Sequence, residues 1–116
     1  MMKTEENDFV IDDPARNAPQ HYKTRIENAR VRVLEYRSQP GQQSALHSHP
    51  ESVIYSFNRA TMRITAPDGS HKDIMLQPGE VILEPETTHA LQNIGETEAH
   101  LLVIELKVPV EPVPLV

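Results

Sequence analysis

The sequence predicts an all-β fold, a sandwich or barrel built from short strands. Three observations lead there. Segments rich in β-forming residues recur along the chain at short spacing. Gly and Pro close them, as in Gln39-Pro40-Gly41, Pro67-Asp68-Gly69-Ser70 and Pro78-Gly79. No ten-residue window carries the apolar spacing of an amphipathic helix.

Taken in order, residues 1–20 read as an arm, with Glu5, Glu6, Asp8, Asp12 and Asp13 against Lys3 and Arg16. Either it is a loose terminus, or Phe9-Val10-Ile11 docks as an edge strand on its own or a neighbouring subunit. The candidate barrel domain runs over residues 21–107. Strands are expected at 22–26 and 30–37, then at 45–49 and 53–57 after the Pro40-Gly41 break. Residues 61–65 alternate, with Met62 and Ile64 on one face. The Asp68-Gly69 turn leads into a strand at 71–76, and further strands are expected at 81–84, 88–93 and 98–107. The last is apolar on both faces from Leu101 to Ile104, as a strand covered on both sides would be. The tail, residues 108–116, has Pro109, Pro112 and Pro114 and should be extended, as a loose end or a strap across a subunit surface.

Composition narrows the function classes. A chain of 116 residues suits one domain. The absence of Cys removes disulfide scaffolds, thiolate metal sites and cysteine nucleophiles, and suits a reducing compartment. A net charge of −6 argues against nonspecific nucleic-acid binding, which needs clustered Lys and Arg. The longest apolar run, Leu101-Leu102-Val103-Ile104, is too short to span a bilayer, and the acidic first residues do not read as a secretory signal. The expectation is a soluble cytoplasmic domain. The four glycines are isolated, so no phosphate cradle is expected. Ser44, Ser48 and Ser52 lack the Gly-x-Ser-x-Gly surroundings of a hydrolase nucleophile.

The sharpest local feature is His47-Ser48-His49. On a strand, residues two apart point to one face about 6–7 Å apart, so two imidazoles can converge on one ion. His89, at the start of another expected strand, is placed to cross and face that pair. Neutral imidazole is a common ligand of Zn, Fe, Ni and Cu. The plain alternative is hydrogen-bonded histidines with no metal.

The segment Gly41 to His49, a Gly, five residues and His-x-His, resembles the start of the first cupin motif. Gly79, Pro85, His89 and Asn93 resemble the second. The resemblance covers about residues 22–107 and implies a small cupin: a double-stranded β-helix, or jelly-roll barrel, and a homodimer. In the family a Glu ligand follows the second His by three or four residues, where this chain has Val53 and Ile54. The closing Gly of the first motif is replaced by Asn58-Arg59-Ala60, and the second motif lacks its central Gly.

Regular alternation would put Gln43, Ala45, His47, His49, Glu51 and Val53 on one face. Glu51 and Gln43 are therefore candidate additional ligands beside His47, His49 and His89. Val53, Tyr55, Leu91, Glu84 and Tyr36 are candidate pocket residues. Glu84 shares parity with Ile82 and, facing inward, would serve as a general base or orient a histidine. His21, His71 and His100 have no partner at ligand spacing. A three-histidine set with open positions suits a catalytic divalent ion (Zn, Fe, Mn or Ni). The resemblance implies that such a site can hold Fe(II) for oxygen chemistry. Two functions follow. One is a metalloenzyme, dioxygenase- or isomerase-like, acting on a small organic acid or carbonyl compound. The other is a non-catalytic domain that binds or senses a small-molecule ligand without metal.

Overall fold

The structure, a computed structural model, describes residues 13–107. The expected edge strand at Phe9-Val10-Ile11 and the tail 108–116 lie outside the described residues. Asp13 caps a short helix, α1 (Pro14–Asn17), by accepting the Ala15 N–H at 3.0 Å. Pro14 stands where a helix tolerates the missing donor. Although expected in an arm, this stretch is packed, and Ala18 is part of the core.

Nine strands follow among the described residues: β1 (Tyr22–Glu27), β2 (Val31–Ser38), β3 (His47–His49), β4 (Ser52–Ser56), β5 (Ala60–Thr65), β6 (His71–Leu76), β7 (Val81–Glu84), β8 (Thr87–Asn93) and β9 (Ala99–Leu106). All their pairings are antiparallel. One sheet has the order β1-β2-β9-β4-β7, the other β3-β8-β5-β6. The β5–β6 hairpin closes through Asp68, whose carboxylate accepts from the Ser70 N–H and O–H, and through Gly69 at φ 92°.

The core lies between the sheets. Leu34 and Tyr36 of β2, Ile54 of β4, Met62 of β5, Leu76 of β6, Leu91 of β8 and Leu101 and Val103 of β9 fill it. Alternation places these residues inward on each strand, so one sheet face is buried and the other is not. The outer face of the five-stranded sheet nevertheless carries an aliphatic row: Ile26, Val33, Ile104, Val53 and Leu83 pair in register across all five strands. Ile26 reaches this face because the β1–β2 register shifts between Thr24 and Ile26. Leu102 and Ile104 on that face are half-buried, so the two-sided covering expected for the last strand is not what the described residues form.

The largest departure from regular alternation falls at Pro50-Glu51. His47 and His49 point inward on β3, but Ser52, Ile54 and Ser56 point inward on β4. β3 and β4 belong to different sheets, so the chain turns a corner between them and the parity restarts. Val53 and Tyr55, expected in the pocket, therefore lie on the outer face. Phe57, next in the same parity, is also exposed.

Asn93 ties the barrel together near the β8–β9 connection. Fully buried, its amide donates to the Ser38 and Thr97 carbonyls, each at 2.9 Å, and accepts the Gly95 N–H at 2.9 Å. Asn93→Ala orphans three backbone groups at once, and should lower unfolding free energy by about 2–4 kcal/mol in urea titration. A loss below about 0.5 kcal/mol would show that those groups find other partners.

Candidate metal centre

Strand register builds the centre. His47 of β3 pairs directly with His89 of β8, and His49 lies two residues along β3 on the same inward side. The ring centroids are 4.9 Å apart for His47–His49, 5.0 Å for His47–His89 and 5.3 Å for His49–His89. One ring nitrogen from each of the three lies within 4.8 Å of the others. All three side chains are buried.

Hydrogen bonds fix which nitrogen is the donor on two of the rings. His47 Nδ1 lies 2.7 Å from the Ala45 carbonyl, which can only accept, so Nδ1 carries the proton and Nε2 keeps its lone pair. The Tyr22 hydroxyl donates to that Nε2 at 3.1 Å. His49 Nδ1 donates to Glu105 Oε2 at 2.7 Å, so Nε2 is the ring nitrogen the carboxylate does not hold. His89 differs. Both of its ring nitrogens are buried without a hydrogen-bond partner among the described residues. The nearest carboxylate oxygen, Glu84 Oε2, is 3.8 Å from His89 Nδ1, too far for a hydrogen bond.

Burial sets the charge states. It pulls the His47 ring down to about 4, against the opposing effect of the Ala45 carbonyl. Burial, then the His49 and His47 rings, pull His89 down to about 3. Both are neutral near pH 7, the state in which imidazole binds metal. Burial also pushes the Glu84 carboxyl above its ordinary range and the Tyr22 phenol well above its own.

A cavity of about 30 Å³ adjoins the histidines, room for about two waters. Ile54, Met62, Leu76, Ile82, Leu91 and Val103 form its apolar wall, and Tyr22, His49, His89 and Glu84 its polar end. No Lys or Arg among the described residues lines it.

Of the residues singled out in the sequence, His47, His49, His89, Glu84 and Leu91 meet here. Gln43 and Glu51 do not. Both are exposed: Gln43 bridges Gln92 at the edge, and Glu51 sits on the corner where the chain changes sheets. Val53 and Tyr55 are on the outer face for the reason given above. Tyr36 is buried but does not line the cavity: it packs on Tyr22 at 4.9 Å and donates to Ser38. His21 bonds the Arg37 carbonyl, His100 pairs with Glu35 and stacks on Phe57, and His71 is exposed. Sequence reasoning missed Tyr22 and Glu105. Parity offered a signal for Glu105, which shares the inward face of β9 with Leu101 and Val103.

Comparison with known proteins places this geometry in a fold. A cupin domain from Bordetella pertussis Tohama I is 28% identical with a TM-score of 0.69, over 75% of this chain and 92% of that one. A cupin family protein with a double-stranded β-helix fold from Methanocaldococcus jannaschii is 16% identical with a TM-score of 0.60, over 74% of this chain and 78% of that one. An oxalate decarboxylase is 24% identical with a TM-score of 0.55 over 75% of this chain, which spans 26% of its length. No family model and no curated protein matches the sequence. The chain has the cupin double-stranded β-helix fold.

The depressed histidines make stability depend on pH. Below about 6.5 the unfolded chain takes up protons on His47 and His89 that the folded chain refuses until about 4 and about 3. Their contribution is whole above about pH 6.5 and is lost as pH falls through that window, each unit of depression being worth about 1.4 kcal/mol. The urea midpoint of the metal-free protein should therefore drop on acidification, and less steeply in His89→Leu. The same variant removes two orphaned nitrogens and should be about 1 kcal/mol more stable near pH 7. An unchanged pH slope in His89→Leu would contradict the assigned charge states.

Proposed function

We propose that His47, His49 and His89 hold one divalent metal ion and that this cupin-fold chain acts on a small carbonyl compound. The observation that carries the reading is His89. A buried imidazole with neither nitrogen satisfied is costly, and it faces two rings whose Nδ1 atoms are already committed to Ala45 and Glu105. An ion bonded to all three rings would satisfy one of those two nitrogens and reduce that cost. A donor set of three imidazole nitrogens suits Zn, Fe, Mn or Ni, with positions left for a ligand. When bound, such an ion supplies Lewis acidity at a substrate oxygen.

The chain's own groups favour proton transfer. Glu84, its basicity raised by burial, stands at the cavity wall beside His89 and is positioned to take or return a proton. The Tyr22 hydroxyl, at His47 Nε2, is positioned to donate to a bound oxygen. The aliphatic wall keeps water out. Without a lining Lys or Arg among the described residues, an uncharged carbonyl compound of few atoms suits the cavity better than an organic acid. An isomerase-like reaction fits this arrangement better than oxygen insertion. A second reading, a binding or sensing domain without metal, is favoured by the Tyr22–His47 hydrogen bond, which satisfies His47 without an ion.

We also propose a cytoplasmic homodimer in which a second copy covers the outer aliphatic row, where Ile26 is 56% and Leu83 62% exposed. The domain reading, a barrel over 21–107 with the remainder as arm and tail, belongs to the same proposal.

Metal analysis of protein purified without chelator or His tag should find about one ion per chain, and the triple replacement of His47, His49 and His89 by Ala should find almost none. Below about 0.1 ion per native chain, the metal reading fails and the binding-domain reading stands. For the assembly, sedimentation should show a dimer that Leu83→Glu converts to monomer; a native monomer would refute it.

A further inference from the structure

One chain of charges, from partly exposed Asp13 and Arg32 to buried Glu105, leads from the helix cap to the candidate ligand His49. Arg32 donates through two of its nitrogens to Asp13, at 2.9 and 3.0 Å. Its Nε and a terminal nitrogen also donate to Glu105 Oε1, at 2.9 and 2.8 Å. The other oxygen, Glu105 Oε2, accepts the His49 Nδ1 proton at 2.7 Å. Glu105 is 3% exposed, and its two oxygens are divided between Arg32 on one side and one imidazole nitrogen on the other.

We propose that Asp13, Arg32 and Glu105 form a positioning relay that holds the His49 proton on Nδ1 and so keeps Nε2 bare toward the centre. The function of the relay rests on the metal reading above, but its action on the ring does not. The roles follow from donor and acceptor counts. A carboxylate has no proton to give, so facing His49 it can only accept. Arg32 has only donors, so it holds Glu105 in that state and fixes which oxygen faces the ring. Asp13 takes one donor from each terminal nitrogen of Arg32 and holds the guanidinium in plane. Asp13 also caps α1, so the segment preceding the strands takes part in aiming a ring of β3. The three are positioning residues and touch no reacting atom.

Glu105→Gln tests the relay because an amide has one acceptor end and one donor end. Arg32 demands the acceptor. The amide NH2 then faces His49 Nδ1 and donates, which drives the imidazole proton to Nε2. Nitrogen-proton correlation spectra of metal-free protein should show the His49 proton on Nδ1 in the native chain and on Nε2 in E105Q. Zinc titration should show at least about a tenfold rise in Kd for E105Q, as for loss of other outer partners of metal-bound histidines. In the double variant R32M/E105Q the amide is free to turn its oxygen to His49, so the Nδ1 proton should return and zinc affinity should recover.

A native His49 with its proton on Nε2 overturns the proposal without any variant, should E105Q fail to fold. An E105Q ring still protonated on Nδ1, with native zinc affinity, overturns it too. If the native chain binds no zinc, the metal reading falls, and the spectra of the metal-free proteins still decide the relay.

Discussion

The structure depends on one constraint: three imidazoles, buried together in a largely apolar interior, with the Nδ1 atoms of two of them committed to hydrogen bonds. Burial forbids charge on His47 and His89, and the Ala45 carbonyl and the Glu105 carboxylate decide which nitrogens are bare. Such a cluster is a poor way to build a core. An aliphatic residue at His89 would pack the same space without two orphaned polar atoms. The protein keeps a costly arrangement where the three rings meet, a cost that the proposed metal ion would partly offset.

The fold meets the constraint through topology. Antiparallel pairing sets His47 opposite His89, and the two-residue repeat of β3 adds His49 on the same side. The turn at Pro50-Glu51 sends the chain into the other sheet, whose inner face brings Ile54 and Ile82 to close the cavity. The same sheet delivers Glu84 from β7, Tyr22 from β1 and Glu105 from β9 to the histidines. One sheet carries the three histidines, and the other carries the side chains that contact them, Tyr22, Glu84 and Glu105. Asn93 and the Asp13 cap hold connections at the margins, so sequence positions far from the centre bear on its geometry.

Much of this could be read from residue order. Strand positions followed from β-formers between Gly and Pro turns, and the His-x-His pair with His89 followed from two-residue periodicity and motif spacing. What failed was long-range parity. Counting alternate residues from His47 through Pro50 to Val53 assumes one straight strand, and the chain instead changes sheets there. That single break moved Glu51 to the surface and exchanged Val53 for Ile54 as the inward residue. Tyr22 and Glu105 escaped because pairing of distant strands decides which polar group meets which ring. Glu105 is 56 residues from His49 in sequence, and no local pattern announces that contact. The fold name came from motif spacing, and the solved cupin structures share it.

The central claim is that the three rings close on one ion. A crystal of the native protein grown with zinc, mapped by anomalous scattering at the zinc edge, tests it most directly. The account predicts one peak inside the barrel, about 2.1 Å from a nitrogen of each of His47, His49 and His89. A map whose peaks all lie at surface carboxylates, with the three rings unmoved and unbridged, would contradict it.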